Sequence, residues 1–230
     1  MRQLIQVVVA ALLLSGVTFA ADDKHHSVLE RYLARADEPV VEYRALRHLE
    51  ASNAQFRKSA SMDAWTSYDR ASGFRFDIVA EAGNSYIRNH VLRAALEGEQ
   101  NMWARHEPEH ASITLENYSF DDRLTIVEGL AALGITPRRR DVLLVDGTIY
   151  VQAGDGDLRR VEGRLSKAPS FWTRKVEISR RYERIGGVLV PVSFDSVAHV
   201  MIAGRSTFRM TYEYQTINGR QVGAPRRTIE

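Results

Sequence analysis

The chain has 230 residues, 31 of them Lys or Arg against 29 Asp or Glu, for a formal net charge of +2. That balance excludes a nucleic-acid partner, whose affinity rests on a clear excess of basic side chains. There is no cysteine, which excludes disulfide staples, thiolate metal ligands and a thiol nucleophile.

Met1 and Arg2 precede an apolar run from Leu4 to Leu14, followed by Ser15-Gly16 and Val17-Thr18-Phe19-Ala20. A charged start, an apolar middle and a small-residue end form a secretory signal, cut after Ala20. The run is shorter than the roughly 20 apolar residues of a spanning helix. The expectation is a signal peptide over 1–20 and one exported domain over 21–230. With no cysteine to carry a lipid after the cleavage site, no stable membrane anchor is expected.

Ser27 and Glu30 form a capping box for a short helix whose Val28, Tyr32 and Leu33 share a face, and Pro39 stops it. The period then changes to 2. Val41, Tyr43 and Ala45 alternate with Glu42, Arg44 and Leu46; a second strand spans Lys58 to Tyr68. Asp69 to Gly73 reads as a turn, and Phe74, Phe76, Ile78 and Ala80 alternate with polar neighbours in a third strand.

Gly83-Asn84-Ser85 ends that strand and caps a helix running to about Trp103. At α-helical spacing its apolar stripe is Ile87, Val91, Ala94, Ala95, Gly98 and Met102. From Ile113 to Ile217 the pattern is an antiparallel meander. Asp146-Gly147, between two apolar runs, predicts a two-residue hairpin turn. Ile185-Gly186-Gly187 predicts another. Phe208, Met210, Tyr212 and Tyr214 take one face of the last strand, which Asn218-Gly219 ends. Roughly nine or ten strands with two helices predict an α+β fold, mainly antiparallel β, in which helices cover a curved sheet and leave a groove.

Several words of the chain carry a resemblance. They are Thr136-Pro-Arg-Arg-Arg140, Leu144-Val-Asp146-Gly147-x-Ile149-Tyr-Val151, Val161-Glu-Gly163, Lys167-Ala-Pro-Ser-Phe-Trp172, Gly187-Val-Leu-Val-Pro191 and Tyr212-x-Tyr214. In these the chain resembles bacterial outer-membrane lipoprotein-sorting proteins of the LolA/LolB-like superfamily, over residues 27–220. The resemblance implies an incomplete, half-open β-barrel whose concave apolar face is lidded by helices. It implies a soluble, non-catalytic periplasmic carrier, with a lipoprotein or lipid-like ligand and a membrane-bound donor or acceptor as partners. It implies no cofactor. The missing cysteine aligns the chain with the diffusing carriers rather than the anchored acceptors.

Under that reading Trp65, Phe74, Phe76, Trp103, Phe171, Trp172, Phe208 and Tyr212 are candidates to wall the groove, with Ile87, Val91 and Met102 from the helix. Each suits ordinary core packing equally well. Arg174 and Arg180 share a strand face with Trp172, Val176, Ile178 and Tyr182. They either end the strand outside the core or meet a headgroup on the ligand. Arg138 to Arg140 reads as a solvated turn, with a patch for anionic headgroups as the alternative.

His106-Glu107-Pro108-Glu109-His110 matches the H-E-x-x-H zinc pattern. Pro108 breaks the helix that would bring both imidazoles to one face, so a polar loop is the better reading and a zinc metallohydrolase the remote one. No metal site is expected. Asp155-Gly156-Asp157 reads as a turn rather than a calcium loop.

Overall fold

The structure is a computed structural model that describes residues 28–105, 108–121, 123, 125–168, 173–201 and 204–223. The segment read as a signal peptide lies outside these residues, as do Phe171, Trp172, His106 and Glu107.

Helix α1 covers 28–34. Strands β1 (Glu42–Asn53), β2 (Lys58–Asp69) and β3 (Gly73–Gly83) form a meander, followed by helix α2. Helix α2 has three parts, an α-turn at Ser85–Ile87, a π-helical stretch at Arg88–Arg93 and an α-helix at Ala94–Ala104. The remaining strands are β4 (Tyr118–Phe120), β5 (Thr125–Val127), β6 (Leu130–Pro137), β7 (Val145–Val151), β8 (Leu158–Leu165), β9 (Thr173–Ile185), β10 (Val188–Val200), β11 (Gly204–Ile217) and β12 (Arg220–Gln221).

These make one antiparallel sheet of 12 strands in the order β3-β2-β1-β11-β10-β9-β8-β7-β6-β4, with β12 on β11 and β5 on β6. Among the described residues β3 and β4 remain edges, so the barrel is open. The surplus over nine or ten strands comes from short pieces, of which β12 has two residues and β4 and β5 three each. Pairing of β1 with β11, Leu49 opposite Met210, joins the two ends of the chain.

Alternation decides what each strand buries. Ala45, Leu49 and Ala51 of β1 and Ala60, Met62 and Ala64 of β2 point inward, where Ile87, Leu92 and Leu96 of α2 pack on them. A second cluster joins Val28 of α1 to Leu133, Ile149, Val151, Val161 and Ile178. Phe194 packs against both clusters.

Two turn signals behave as expected. Gly186 and Gly187 have φ of 59° and 92° and close β9 onto β10, while Asn218 and Gly219, at 48° and 74°, close β11 onto β12. The Asp146-Gly147 hairpin does not form. Both residues lie inside β7, with Gly147 opposite Gly163 of β8. A Cβ on Gly147 would fall 2.0 Å from the Glu162 carbonyl oxygen. The glycine marks a close approach of two backbones inside the sheet, not a left-handed turn.

Helix α2 begins as expected, with the Asn84 side chain accepting the Ile87 N–H at 3.2 Å. Its buried face then departs from the predicted stripe. Ile87 is 7% exposed, but the next inward residues are Leu92 and Leu96, both 0% exposed, while Val91 is 36% exposed. A π-helical turn holds one residue more than an α-turn and rotates everything after it. The stripe 91, 95, 98, 102 thus becomes 92, 96, 99, 103, and Glu99 and Trp103 face the interior.

Candidate functional site

A cavity of about 740 Å³ lies between the two packed clusters. One wall is the C-terminal half of α2, with Gly98, Glu99, Met102 and Trp103. Tyr32 of α1 and the segment 111–114 border it. The floor is the concave face of β8 to β11, where Leu158, Val161, Leu165, Ile178, Leu189 and Phe194 point upward. The floor is apolar because these are the inward positions of alternating strands, and Leu158, Val161 and Ile178 belong to the second packed cluster beneath it.

The short helix α1 is pinned beside the cavity. Tyr32 donates its hydroxyl to the Ile113 carbonyl at 3.0 Å, and Arg31 donates to the Ala153 carbonyl at 2.7 Å. Gly156, at φ 71°, lets the 154–157 turn press against Tyr32, where a Cβ would lie 2.6 Å from the Tyr32 nitrogen. Just after α1, Asp37 and the buried Asp157 share Arg184 at 2.7 and 2.5 Å.

Polar groups sit at the junction of α2 and floor. Arg47 of β1, 1% exposed, points inward among alanines and Leu49. Its guanidinium grips both Glu99 oxygens, at 2.5 and 2.8 Å, and donates to the Tyr43 hydroxyl at 2.8 Å. The rings of Phe74 and Tyr212 lie 5.0 and 4.7 Å from its centre. Burial pushes the Glu99 carboxyl up, but the charge and hydrogen bonds of Arg47 outweigh it and hold the group below its ordinary value. Burial pushes the Tyr212 phenol up to about 12, so it is neutral.

Arg180 projects from β9 into the cavity with Tyr182 and Tyr212 around it. Its guanidinium carbon stands 5.2 Å from the Phe194 ring centre. It is enclosed by protein yet remains solvent-exposed, because the surface it keeps faces the cavity.

The candidate groove residues separate into three sets. Met102, Trp103, Tyr212 and Arg180 line the cavity. Phe74 and Ile87 are buried in the core beneath α2, and Phe76 and Phe208 pack against that core, Phe208 edge-on to Phe194 with ring centres 6.0 Å apart. Trp65 lies on the opposite sheet face under Arg44, at 4.8 Å, and Val91 faces out on α2. Arg174 is outside the cavity, in a cleft with Arg139, Arg140 and Arg164.

Two of the arginines of 138–140 are tied to the adjoining loop, while Arg140 is exposed. Arg138 donates to the Leu115 carbonyl at 2.8 Å, and Arg139 donates to the Asn117 side chain at 2.5 Å and the His110 carbonyl at 2.8 Å. Pro108–Ala111 is a short 3-10 turn. Among the described residues no cluster of three His, Asp or Glu side chains could hold a metal. Likewise none of their helices is long and apolar enough to cross a membrane.

The sequence patterns do not single out Glu99, Arg47, Leu158 or Leu165, and Val161 and Leu189 stand only among the words of the resemblance, not among the groove candidates. For Arg47 a signal exists, since a charge at an inward position of a strand requires a buried partner.

No family model matches the chain, and no curated protein does. Solved structures do. The chain is similar to a DUF1329 family protein from Desulfovibrio piger, at 10% identity over 85% of this chain and 90% of that one, with a TM-score of 0.37. It is similar to an outer membrane lipoprotein-sorting protein domain, described as putative, from Vibrio parahaemolyticus, at 10% identity over 86% and 93%, with a TM-score of 0.38. It is also similar to a LolA superfamily protein from Nitrosomonas europaea, at 12% identity over 87% and 94%, with a TM-score of 0.38. Likeness at this level says nothing about what this chain binds.

Proposed function

We propose that the chain is a non-catalytic carrier or binding protein for an acylated or otherwise apolar ligand, working in the periplasm after removal of residues 1–20. The observation that carries this is the cavity of about 740 Å³ floored by Leu158, Val161, Leu165, Ile178, Leu189 and Phe194. Its size falls within the roughly 300–1,000 Å³ of small-molecule sites. Burying an acyl chain there yields about 0.8 kcal/mol per CH₂. A scaffold with a filled interior has no use for such a space. The finer reading, from the sequence resemblance, is a lipoprotein as cargo with a membrane-bound donor or acceptor.

The test is native mass spectrometry of gently purified protein, with displacement of a fluorescent fatty acid. Bound lipid or saturable displacement is expected, and Leu189→Trp, at a partly buried position on the floor, should fill the cavity and block it, with thermal melting to check that the variant folds. A chain that emerges empty and binds neither fatty acid nor lipopeptide overturns the reading.

A further inference from the structure

The charged side chains that line the cavity are Asp37, Glu99 and Arg180, and Asp37 is already paired with Arg35 and Arg184. Arg47 and Glu99 neutralise each other through two hydrogen bonds at 2.5 and 2.8 Å. Arg180 also faces the cavity; among the described residues it makes no ion pair within 4 Å, its close neighbours are the Phe194 ring, Tyr182 and Tyr212, and the Glu99 carboxylate acts on it from farther off. Nothing in the site can remove the charge, since an arginine stays protonated and these neighbours hold it more firmly so.

The consequence concerns the bound state. An exposed guanidinium such as that of Arg180 is stabilised by hydration. A wholly apolar ligand that filled the space would strip that hydration and leave a cation against Phe194 and Leu189 with only the Glu99 carboxylate, already held by Arg47, as a more distant counter-charge, which is unfavourable. A ligand that brings an anion to this point replaces the water with a charge-assisted hydrogen bond in a low-dielectric setting.

We propose that the ligand is an acidic amphiphile, whose carboxylate or phosphate pairs with Arg180 inside the cavity while its acyl chain lies on Leu158, Val161, Ile178 and Leu189. This rests on the carrier reading and narrows it to a head-inward pose. Glu99, held by Arg47, stands on the opposite wall and repels an anion that enters too far toward α2.

The experiment compares probes that differ only in the head, palmitate against hexadecanol, by displacement of a fluorescent probe at pH 8. Palmitate should bind at least about tenfold tighter, the worth of one hydrogen bond to a charged group. Arg180→Gln should remove that preference, weakening palmitate and strengthening hexadecanol, and Arg180→Lys should keep most of it. Thermal melting checks that each variant folds, and Arg180→Met, which also removes the charge, serves if the glutamine variant does not. Lysophosphatidate against monopalmitoylglycerol tells a phosphate head from a carboxylate one. Equal binding of charged and neutral probes, or a preference that survives Arg180→Gln, overturns the head-inward pose and leaves the carrier reading standing. Failure of all four probes overturns both.

Discussion

Arg47 and Glu99 join the first strand of the sheet to the helix that walls the cavity, through a two-pronged hydrogen bond across 52 residues of sequence. The Arg47 side chain is 2% exposed and that of Glu99 23%. Such a pair adds little net stability when intact, because both ions lose water, but breaking one side strands the other. Glu99→Gln should therefore destabilise the fold by about 3 kcal/mol in urea unfolding, and Arg47→Met with Glu99→Leu should recover most of the loss. Because the Glu99 carboxyl is held below its ordinary value, its contribution is present above that value and fades as pH falls through the lowered one. The double variant should lack this acid sensitivity. If Glu99→Gln unfolds like the wild type, the pair is not buried as described.

The π-helical stretch makes a sharp prediction about neighbours in sequence. Leu92→Ala removes a fully buried side chain and should cost roughly 2–5 kcal/mol, whereas Val91→Ala, one residue earlier, should stay within about 0.5 kcal/mol. A regular α-helix over the same residues predicts the reverse order, so the two unfolding curves decide between them.

Two glycines should respond oppositely to alanine. At Gly147 a Cβ would meet the Glu162 carbonyl at 2.0 Å and the Gly163 Cα at 2.5 Å, both backbone. Gly147→Ala should cost roughly 3 kcal/mol or fail to fold, the upper range for overpacking. At Gly98, inside α2, nothing lies within 4 Å of the added carbon. Gly98→Ala should raise stability by about 1 kcal/mol from helix propensity, read as an increase in the unfolding midpoint.

His48 supplies a pH response far from the cavity. Its ring nitrogens meet Asp63 on β2 and Glu50 on its own strand, and those hydrogen bonds raise its pKa above the ordinary 6.5. A raised folded-state value means the stabilisation is complete below about 6.5 and disappears as pH climbs through the higher one. The melting temperatures of wild type and His48→Gln should differ at pH 6 and converge by pH 9. The gap should be small and shrink in high salt, since the group is exposed. A gap that widens with pH would contradict the assignment.

Much of the sheet could be read from the chain because its strands alternate cleanly. Phe74 and Met210 fell on buried faces as their periodicity requires. Where the reading failed, a tertiary contact outweighed a local signal. Asp146-Gly147 carries strong hairpin chemistry, yet Gly147 is needed where β7 and β8 touch backbone to backbone, a contact set by residues some 16 positions away. The helix face slipped by one because no side-chain pattern announces a π-turn. That slip displaced Val91 from the groove and brought in Glu99. The cavity floor was missed for a different reason. Leu158, Val161 and Leu189 look like core residues in sequence, and Leu158 and Val161 are indeed buried in the second cluster; only the fold shows that the same residues border the cavity.

The extra residue at Arg88–Arg93 has a bearing on how relatives are to be compared. Any alignment that carries this helix across without a one-residue gap will equate Val91 with a partner's core position and Met102 with the column that belongs to Trp103. Columns upstream would match and columns downstream would be displaced. A conserved acidic position in such relatives would then surface beside Glu99 rather than on it. Homologues lacking the insertion are recognisable in advance: they should be one residue shorter between the counterparts of Asn84 and Trp103.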